Sequence, residues 1–509
     1  MRSLSRLAAS AATLLLAGCT VGPDFEKPSS WSPEHWFDST PDEKPVATDA
    51  VVPSLPVAEP IRADWWAVFA DPELSALEQR AAGANLDVRT ATLSLAQSRA
   101  QRRITAADEF PQINGDASYQ RQKPSPLGEF SLLSPGGNVS AGAGGATGAP
   151  SGGAAIKPFN LYQYGFDASW ELDLWGKVRR SVEGADANID ASAEAKRDTL
   201  LSVLAEVARD YLQLRQVQAE LQIARENVAT SEDSVRLTRS QAQNGLATDL
   251  DAETAAAQLS SVSATVPQLE AREKAAINQL SFLVGEAPRT LEAELSTTAP
   301  IPPVPPQVPI GLPSELAERR PDIREAEAKL HAATAEIGVA EAAFYPSVTL
   351  NGSDDIQATR FTNLGNWNAH TYEFGPSIKI PIFEGGRLSG NLELTKTEQQ
   401  AAAIAFQKTV LNAWQEVDNA LVGYDREQRR LTQLHQQVEQ TGRALALARQ
   451  QYTAGTSDFL RVLDAQRQVL SAEQQEADSR ATVSLDLVTL YKALGGGWDT
   501  PVQTAAEAK

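Results

Sequence analysis

The chain has 509 residues, 22% charged and 42% hydrophobic, which excludes a disordered polymer, and its length is that of about three ordinary domains. Acidic residues outnumber basic ones 65 to 45, and the net charge of −20 argues against a nucleic-acid partner, since neutralising phosphates takes a basic surface. The single cysteine, Cys19, excludes an intramolecular disulfide and a cysteine-based zinc cluster, and the four histidines (His35, His331, His370, His435) form no pair at helical ligand spacing, so no local metal motif is present.

Residues 1–18 read as a signal peptide. Arg2 and Arg6 make a short basic region, and the apolar stretch from Leu7 to Leu16 falls short of the roughly 20 residues a membrane-spanning helix needs. The segment ends in Leu16-Ala17-Gly18-Cys19, which resembles a bacterial lipobox, where cleavage precedes the cysteine and its thiol receives a diacylglycerol. The blander alternative is an ordinary signal peptide with an incidental cysteine; confinement of cysteine to this one position favours the lipid. Beyond that covalent lipid on Cys19, no cofactor is expected. Thr20 follows, and by the same resemblance the absence of Asp there favours the outer membrane over the inner. No later segment reaches 18 consecutive apolar residues, so the rest of the chain could cross a membrane only as part of a closed β-barrel.

Residues 19–64 are Pro-rich without periodicity and read as an extended strap. Asp71-Pro72 is a helix start, with Asp at the cap and Pro in the first turn, and one helix is expected from 72 to about 108. The chain then repeats itself. Asn85-Leu86-Asp87-Val88-Arg89 matches Arg320-Pro321-Asp322-Ile323-Arg324, and Phe110-Pro111 matches Tyr345-Pro346, both at an offset of 235. Gly245 matches Gly455, and Leu280…Gly285 matches Leu490…Gly495, at an offset of 210. The difference is a Gly/Ser/Ala/Pro-rich insert near 123–158 in the first half, whose run 142–153 lacks the Lys of a phosphate loop and reads as an extracellular loop. The first structural repeat thus covers 65–299, a stiff Pro-rich linker 300–313, the second repeat 314–497, and a tail 498–509.

The helices are long. Residues 177–243 hold no Pro and only Gly184, and a helix of that length spans about 100 Å. Their apolar series is Leu200, Val207, Leu214, Leu221, Val228, Val235; the second half has Val410, Val417, Tyr424, Leu431, Val438, Leu445, Tyr452, in phase with it. A sustained seven-residue repeat implies coiled-coil packing. Partner helices at about 248–285 and 457–495 follow turns at Asn244-Gly245 and Ala454-Gly455. Pro267 is expected to kink the first; its counterpart Ala477 is not.

Four stretches alternate strictly: about 112–122, 161–174, 347–357 and 371–383. One face carries residues such as Tyr162, Tyr164, Phe166, Trp170 and Leu172, the other Gln163, Asp167, Ser169, Glu171 and Asp173; Asp354 breaks the apolar face of the third. Each has the span of a tilted membrane strand. A soluble sheet backed by helices is the alternative, but the polar face is charged and the apolar face aromatic. Four strands cannot close a barrel, so the chain must oligomerise, and its long helices need partners on more than one side.

These features together resemble the outer-membrane factor family of TolC-like export ducts, and more closely its lipidated OprM/NodT branch. The residues that carry the likeness are Cys19-Thr20-Val21-Gly22-Pro23-Asp24-Phe25, Trp65-Trp66-Ala67-Val68-Phe69-Ala70-Asp71-Pro72, Leu312-Pro313-Ser314, Arg319-Arg320-Pro321-Asp322-Ile323 and Leu463-Asp464-Ala465-Gln466-Arg467. The resemblance implies a mainly α fold with a β-barrel part: a homotrimer whose twelve strands form one outer-membrane barrel, continued by a periplasmic coiled-coil tunnel. It implies a bacterial outer-membrane, lipid-anchored protein that extends into the periplasm. Its partners would be a periplasmic adaptor, an inner-membrane transporter of the resistance-nodulation-division type, and outer-membrane lipid. The function implied is passive conduction from pump to exterior in a tripartite efflux system. An exit duct for type I protein or peptide secretion is the alternative, and a trimeric coiled-coil surface protein the more distant one. Nothing resembles a nucleophile elbow; of the carboxylate pairs, Glu171 and Asp173 share a strand face, which fits lumen lining better than acid–base work, and Asp354 and Asp355 point oppositely, so the chain is not read as an enzyme.

The resemblance also locates a gate. The turns Gly245-Leu246-Ala247-Thr248 and Gly455-Thr456-Ser457-Asp458 would be periplasmic tips that dock an adaptor. Leu460 and Asp464, four residues apart on one helix face, match the family's constriction rings. Arg461 stands where TolC has a second acid, so a double acidic ring is not implied; its charge could offset the Asp464 carboxylates. Tyr452 matches a tyrosine of the family's interhelical lock, with Asp251 a candidate partner. The bland alternative is that Asp464 only caps or solvates the helix.

Overall fold

A computed structural model of the chain describes residues 20–29, 32–33, 54–123, 158–245 and 247–496. The expected signal peptide, Cys19, Leu246, the tail 498–509 and nearly all of the Gly-rich insert lie outside the described residues.

The strap ends in a short strand, β1 (Leu55–Val57), followed by a 3-10 turn at Trp65–Phe69. Helix α1 (Pro72–Ala84) starts as expected: Asp71 Oδ1 accepts from the backbone N–H of Glu73 (2.9 Å) and Leu74 (3.1 Å), and Pro72 occupies the first turn, where no donor is needed. The single helix expected to about 108 is instead two. It breaks at Asn85, which has ψ 136. The Asn85 side chain accepts from the N–H of Asp87 and Val88 and donates to the Leu283 carbonyl at 2.8 Å, so it caps α2 (Leu86–Ala106) and ties it to another helix. A short amide that bonds nearby backbone is favoured at a cap over a helix interior.

Next come β2 (Gln112–Gln122), β3 (Phe159–Leu172), the 67-residue α3 (Lys177–Gln243), α4 (Asp249–Ser263), α5 (Thr265–Leu283) and a single turn, α6 (Glu292–Leu295). The break at Ala264 lies three residues before Pro267, which has no N–H to offer the preceding turn. Strand β4 (Gln307–Pro309) lies inside the Pro-rich linker and pairs in parallel with β1, so the linker is packed against the strap, with Val308 fully buried. The second half then gives α7 (Leu316–Arg319), α8 (Pro321–Ala342), β5 (Ser347–Ala358), β6 (His370–Lys379), the 67-residue α9 (Arg387–Thr453) and α10 (Phe459–Ala493), which runs unbroken through Ala477.

Two strands stop earlier than expected. β6 stops at Lys379, short of 383, because Pro381 cannot donate to a ladder. β3 stops at Leu172; Asp173 turns out of the sheet, and its Oδ2 accepts from the N–H (2.9 Å) and Nε (3.2 Å) of Arg179.

Compactness divides the chain differently from the tandem repeat. One unit takes the N-terminal segment to Phe25, Ala100–Asp186 and Ala332–Gln399; the other takes Glu26–Arg99, Ala187–His331 and Gln400–Lys509. Each draws on both halves. The first holds a four-stranded antiparallel sheet in the order β2-β3-β5-β6. The second is helical around one large apolar core, in which Val207, Leu214, Val417 and Tyr424 of the two seven-residue series are buried together with Trp65, Phe69, Leu74 and Leu280. Among the described residues no helix is long and apolar enough to cross a membrane.

The helical unit shows the duplication in its hydrogen bonds. Asn85 Nδ2 donates to the Leu283 carbonyl, and Arg320, its repeat counterpart, donates through a guanidinium nitrogen to the carbonyl of Ala493 at 2.7 Å. Gly285 and Gly495 close these helix ends with φ +72 and +73, and a Cβ on Gly285 would lie 2.7 Å from the Ala84 carbonyl oxygen.

Candidate functional site

In the sheet, register turns four alternating sequences into two faces. Tyr164 lies between Ala117 and Ile356, and Gly352 between Ala168 and Phe374, so the apolar sets of all four strands fall together. Asp167 lies between Asn114 and Ser353, Ser169 between Gln112 and Asn351, and these belong to the opposite face. The polar face is cross-linked by its own side chains, as where Asn114 donates to Asp167 (3.1 Å) and Asn351 to Ser377 (3.1 Å). The apolar face is exposed along its length: Ile113, Phe166, Tyr372, Phe374 and Ile378 are all largely uncovered. Strands β2 and β6 each have one unpaired edge.

Asp354, the one acid on the apolar face among the described residues, is hydrogen-bonded to His370 of the neighbouring strand. The His370 ring is stacked on Trp367 at 4.7 Å, and Tyr119, Tyr162 and Phe361 form a second aromatic group near the same hairpin end. Asp354 is visible in the sequence as a break in pattern; its partner is not, because the two are joined only by strand register.

At the other end of the sheet the first described residues are held down. Val21 N–H donates to the Trp175 carbonyl at 3.1 Å, and the buried Arg180 donates to the carbonyls of Val21 and Gly22 (3.3 Å each) and to Asp24 Oδ1 at 2.6 Å. Gly22 lies directly on Gly338, where a Cβ on Gly22 would come within 2.4 Å of the Gly338 Cα. Trp175 stacks on Tyr345 and its indole donates to the Pro346 carbonyl, so the repeat's aromatic-Pro pair anchors this corner. Cys19 is the residue before Thr20 but lies outside the described residues.

In the helical unit both expected turns are present. Gly245 and Gly455 adopt φ +75 and +69 just beyond the ends of α3 and α9. The helices that follow are capped differently. Thr248 and Asp251 make a reciprocal capping box at the start of α4, whereas Asp458 alone caps α10, its Oδ1 accepting from the Arg461 N–H at 3.2 Å. Farther from the turns, Arg467 Nε donates to Gln258 Oε1 at 2.9 Å and ties α10 to α4.

Behind the turns Tyr452, Phe459, Val462, Leu463, Val235 and Ala255 pack into a separate small core, with the Tyr452 and Phe459 rings 5.5 Å apart. Gln466 is buried and donates to Ser234 Oγ at 2.7 Å. The residues that α10 contributes here take one of its faces. Leu460, 56% exposed, and Asp464 and Arg461, both exposed, take the other, and among the described residues no ion pair joins Arg461 to Asp464. The Tyr452 hydroxyl is buried without a hydrogen-bond partner among the described residues, while Asp251 Oδ2 is engaged by the Thr248 N–H (3.1 Å) and Oγ1 (2.8 Å). Burial, and then the nearby Asp251 charge, push the Tyr452 phenol up. Thr456 N–H and Oγ1 both bond the Gln451 carbonyl, and Leu246 lies outside the described residues.

One tip residue is absent from the sequence-based expectation. Leu250 stands at the repeat position of Leu460 and is 74% exposed. The offset of 210 that aligns Gly245 with Gly455 is the signal that finds it.

The outer membrane efflux protein family model matches residues 77–286 and 312–496. The chain is 30% identical to the solvent efflux pump outer membrane protein SrpC of Pseudomonas putida, over 96% of this chain and 97% of that protein. It is 31% identical to nodulation protein T of Rhizobium leguminosarum bv. viciae, over 97% and 94%. Among solved structures, the outer-membrane channel OprN is similar at a TM-score of 0.82 and 33% identity, covering 94% of this chain and all of that one.

Proposed function

Because the chain belongs to the outer membrane efflux protein family, it is an efflux protein of the outer membrane, and we propose that it is the exit duct of a tripartite pump, assembled as a homotrimer. The sheet carries the reading. One face is exposed and apolar, the other holds carboxylates, amides and hydroxyls, and the edges of β2 and β6 are unpaired. Open edges are not tolerated in a bilayer, and three copies of four strands make a twelve-stranded barrel with a polar interior. The 67-residue helices α3 and α9 then form a periplasmic tunnel with their partner helices, about 100 Å long. A lipid on Cys19 would anchor the strap, and the work is conduction rather than catalysis.

The tips are the proposed gate and the docking surface for a periplasmic adaptor, beyond which stands an inner-membrane transporter of the resistance-nodulation-division type. Leu460 and Asp464 share the exposed face of α10, so three copies would give an apolar ring beside a ring of negative charge, with Arg461 next to it. Tyr452 and Asp251 are the proposed latch behind it, since the unpartnered Tyr452 hydroxyl can bond Asp251 once that carboxylate leaves its cap. Planar-bilayer conductance of the purified protein tests the gate. Leu460→Ala combined with Asp464→Ala should open a channel that is nearly closed in the wild type; unchanged conductance in a double variant whose native mass is three chains refutes it. The same mass measurement reads the acyl groups, which Cys19→Ala should remove.

A further inference from the structure

The apolar face of the sheet holds a groove with a polar group at one end. We propose that this groove binds one 3-hydroxyacyl chain of an outer-leaflet saccharolipid, its hydroxyl meeting Asp354 and His370 and its methylenes lying over Gly352. The proposal rests on the barrel reading, in which this face meets lipid, and adds one particular lipid to it.

Strand register builds the groove. Asp354, Gly352 and Leu350 follow one another down the same face of β5. Asp354 lies between Phe166 of β3 and Tyr372 of β6, and Gly352 between Ala168 and Phe374. Two small residues thus stand side by side at the Gly352 level, with the Phe374 ring beside them and the Phe166 ring one level above. The hollow they leave has a volume of about 380 Å³. The backbone does not require this glycine. A Cβ on Gly352 would meet nothing nearer than 3.8 Å, so a larger side chain has room there and the floor of the groove is open for want of one.

The upper end is polar. Asp354 Oδ1 is bonded to His370 Nε2, while Asp354 Oδ2 and His370 Nδ1 have no partner among the described residues. The Asp354 side chain is 67% exposed, so it faces whatever covers the sheet. An ionisable group turned toward hydrocarbon is costly unless a polar partner meets it, and it marks a functional position.

Depth and bonding select the partner. Tyr119, Tyr162 and Phe361 group at the hairpin end of the sheet, as the aromatic girdle of a barrel does. Asp354 is four residues below Ala358, the last residue of β5. At the rise and tilt of a barrel strand that is about 10 Å into the membrane. Headgroups and their ester linkages stay at the boundary, whereas a hydroxyl carried on the chain itself reaches farther in. A hydroxyl both donates and accepts, so it can serve the carboxylate oxygen and either state of the ring nitrogen; an ester only accepts. Both hairpins, β2–β3 and β5–β6, turn at this end, and the opposite strand ends lead into the helices, which places the groove in the outer leaflet.

Native mass measurement of the full-length protein in detergent, titrated with lipid, tests the groove. The probes are lipid A, whose chains carry 3-hydroxyl groups, and dimyristoyl phosphatidate, which also has a phosphate monoester but plain chains. The wild type should hold one lipid A per copy and bind the phosphatidate about tenfold more weakly. Asp354→Leu should weaken lipid A binding by about tenfold and leave the phosphatidate unchanged. Gly352→Leu, which fills the floor, should weaken both, and Gly352→Ile is a second filling variant should the first not fold. Equal wild-type binding of the two lipids, or lipid A binding that survives Gly352→Leu and Gly352→Ile, overturns the site. A wild-type protein whose native mass is one chain overturns the barrel reading beneath it.

Discussion

In the first half of the chain a neutral amide, Asn85, holds the carbonyl of Leu283; at the matching place in the second half the guanidinium of Arg320 holds that of Ala493. Both bonds satisfy a helix end, and both helix ends are closed by a glycine in the left-handed region. The difference is what else the donor recruits. Asn85 caps α2 through its own oxygen, whereas Arg320 draws in Asp322 (2.8 Å) and Glu416 of α9 (2.7 Å). A repeat thus preserves the requirement for a donor, not the residue that meets it. The halves differ again at the kink: α4 and α5 are separated three residues before Pro267, while α10 is continuous through Ala477.

Exchanging the kink should have the largest effect. Ala477→Pro, at a buried position inside an unbroken helix, should destabilise the protein by about 3 kcal/mol or more in thermal unfolding, while Pro267→Ala should be near neutral because the chain there is already broken. An equal cost for both would show that the kink is not what separates the halves. Next comes the clamp. Arg320→Ala leaves the Ala493 carbonyl and two carboxylates without their donor and should cost about 2–3 kcal/mol; Asn85→Ala, losing a cap and one buried bond, about 1–2 kcal/mol. The same measurement on both variants checks the order.

The smallest effect concerns an acid in the first half whose repeat position holds Pro313. Glu78 of α1 is fully buried, with neither carboxylate oxygen hydrogen-bonded among the described residues, and burial pushes its carboxyl well above the usual range. Its folded pKa lies above its unfolded one, so the folded state holds the proton more tightly. Stability should therefore fall as pH rises from the unfolded value toward the folded one and be level above it. Glu78→Gln should remove that slope from the pH dependence of thermal unfolding; an unchanged slope assigns it to other groups.

Much of the fold is legible because its signals are local. Alternation at Tyr162–Leu172 reports a two-faced strand, the series from Leu200 to Val235 a long packed helix, and Gly245, Gly455 and Pro267 punctuate the chain through their own backbone limits. The tip residues Leu460 and Asp464 stand out by family resemblance, and their shared face follows from a spacing of four. The break at Asn85 was not legible, since an asparagine in an Ala-rich run acts as a cap only when a distant carbonyl, that of Leu283, is there to receive its amide.

The periods of strand and helix and the division into apolar and polar faces follow from residue order alone, because they depend on neighbours a few residues apart, and the duplication follows from comparing the chain with itself. What crosses between segments comes from folding. It set Asp354 beside His370, laid Gly22 on Gly338 under Arg180, paired Gln307–Pro309 of the Pro-rich linker with the strap as a short strand, and left Leu93 and Ile404 uncovered. Such contacts depend on register and closure over hundreds of residues, which no local pattern encodes.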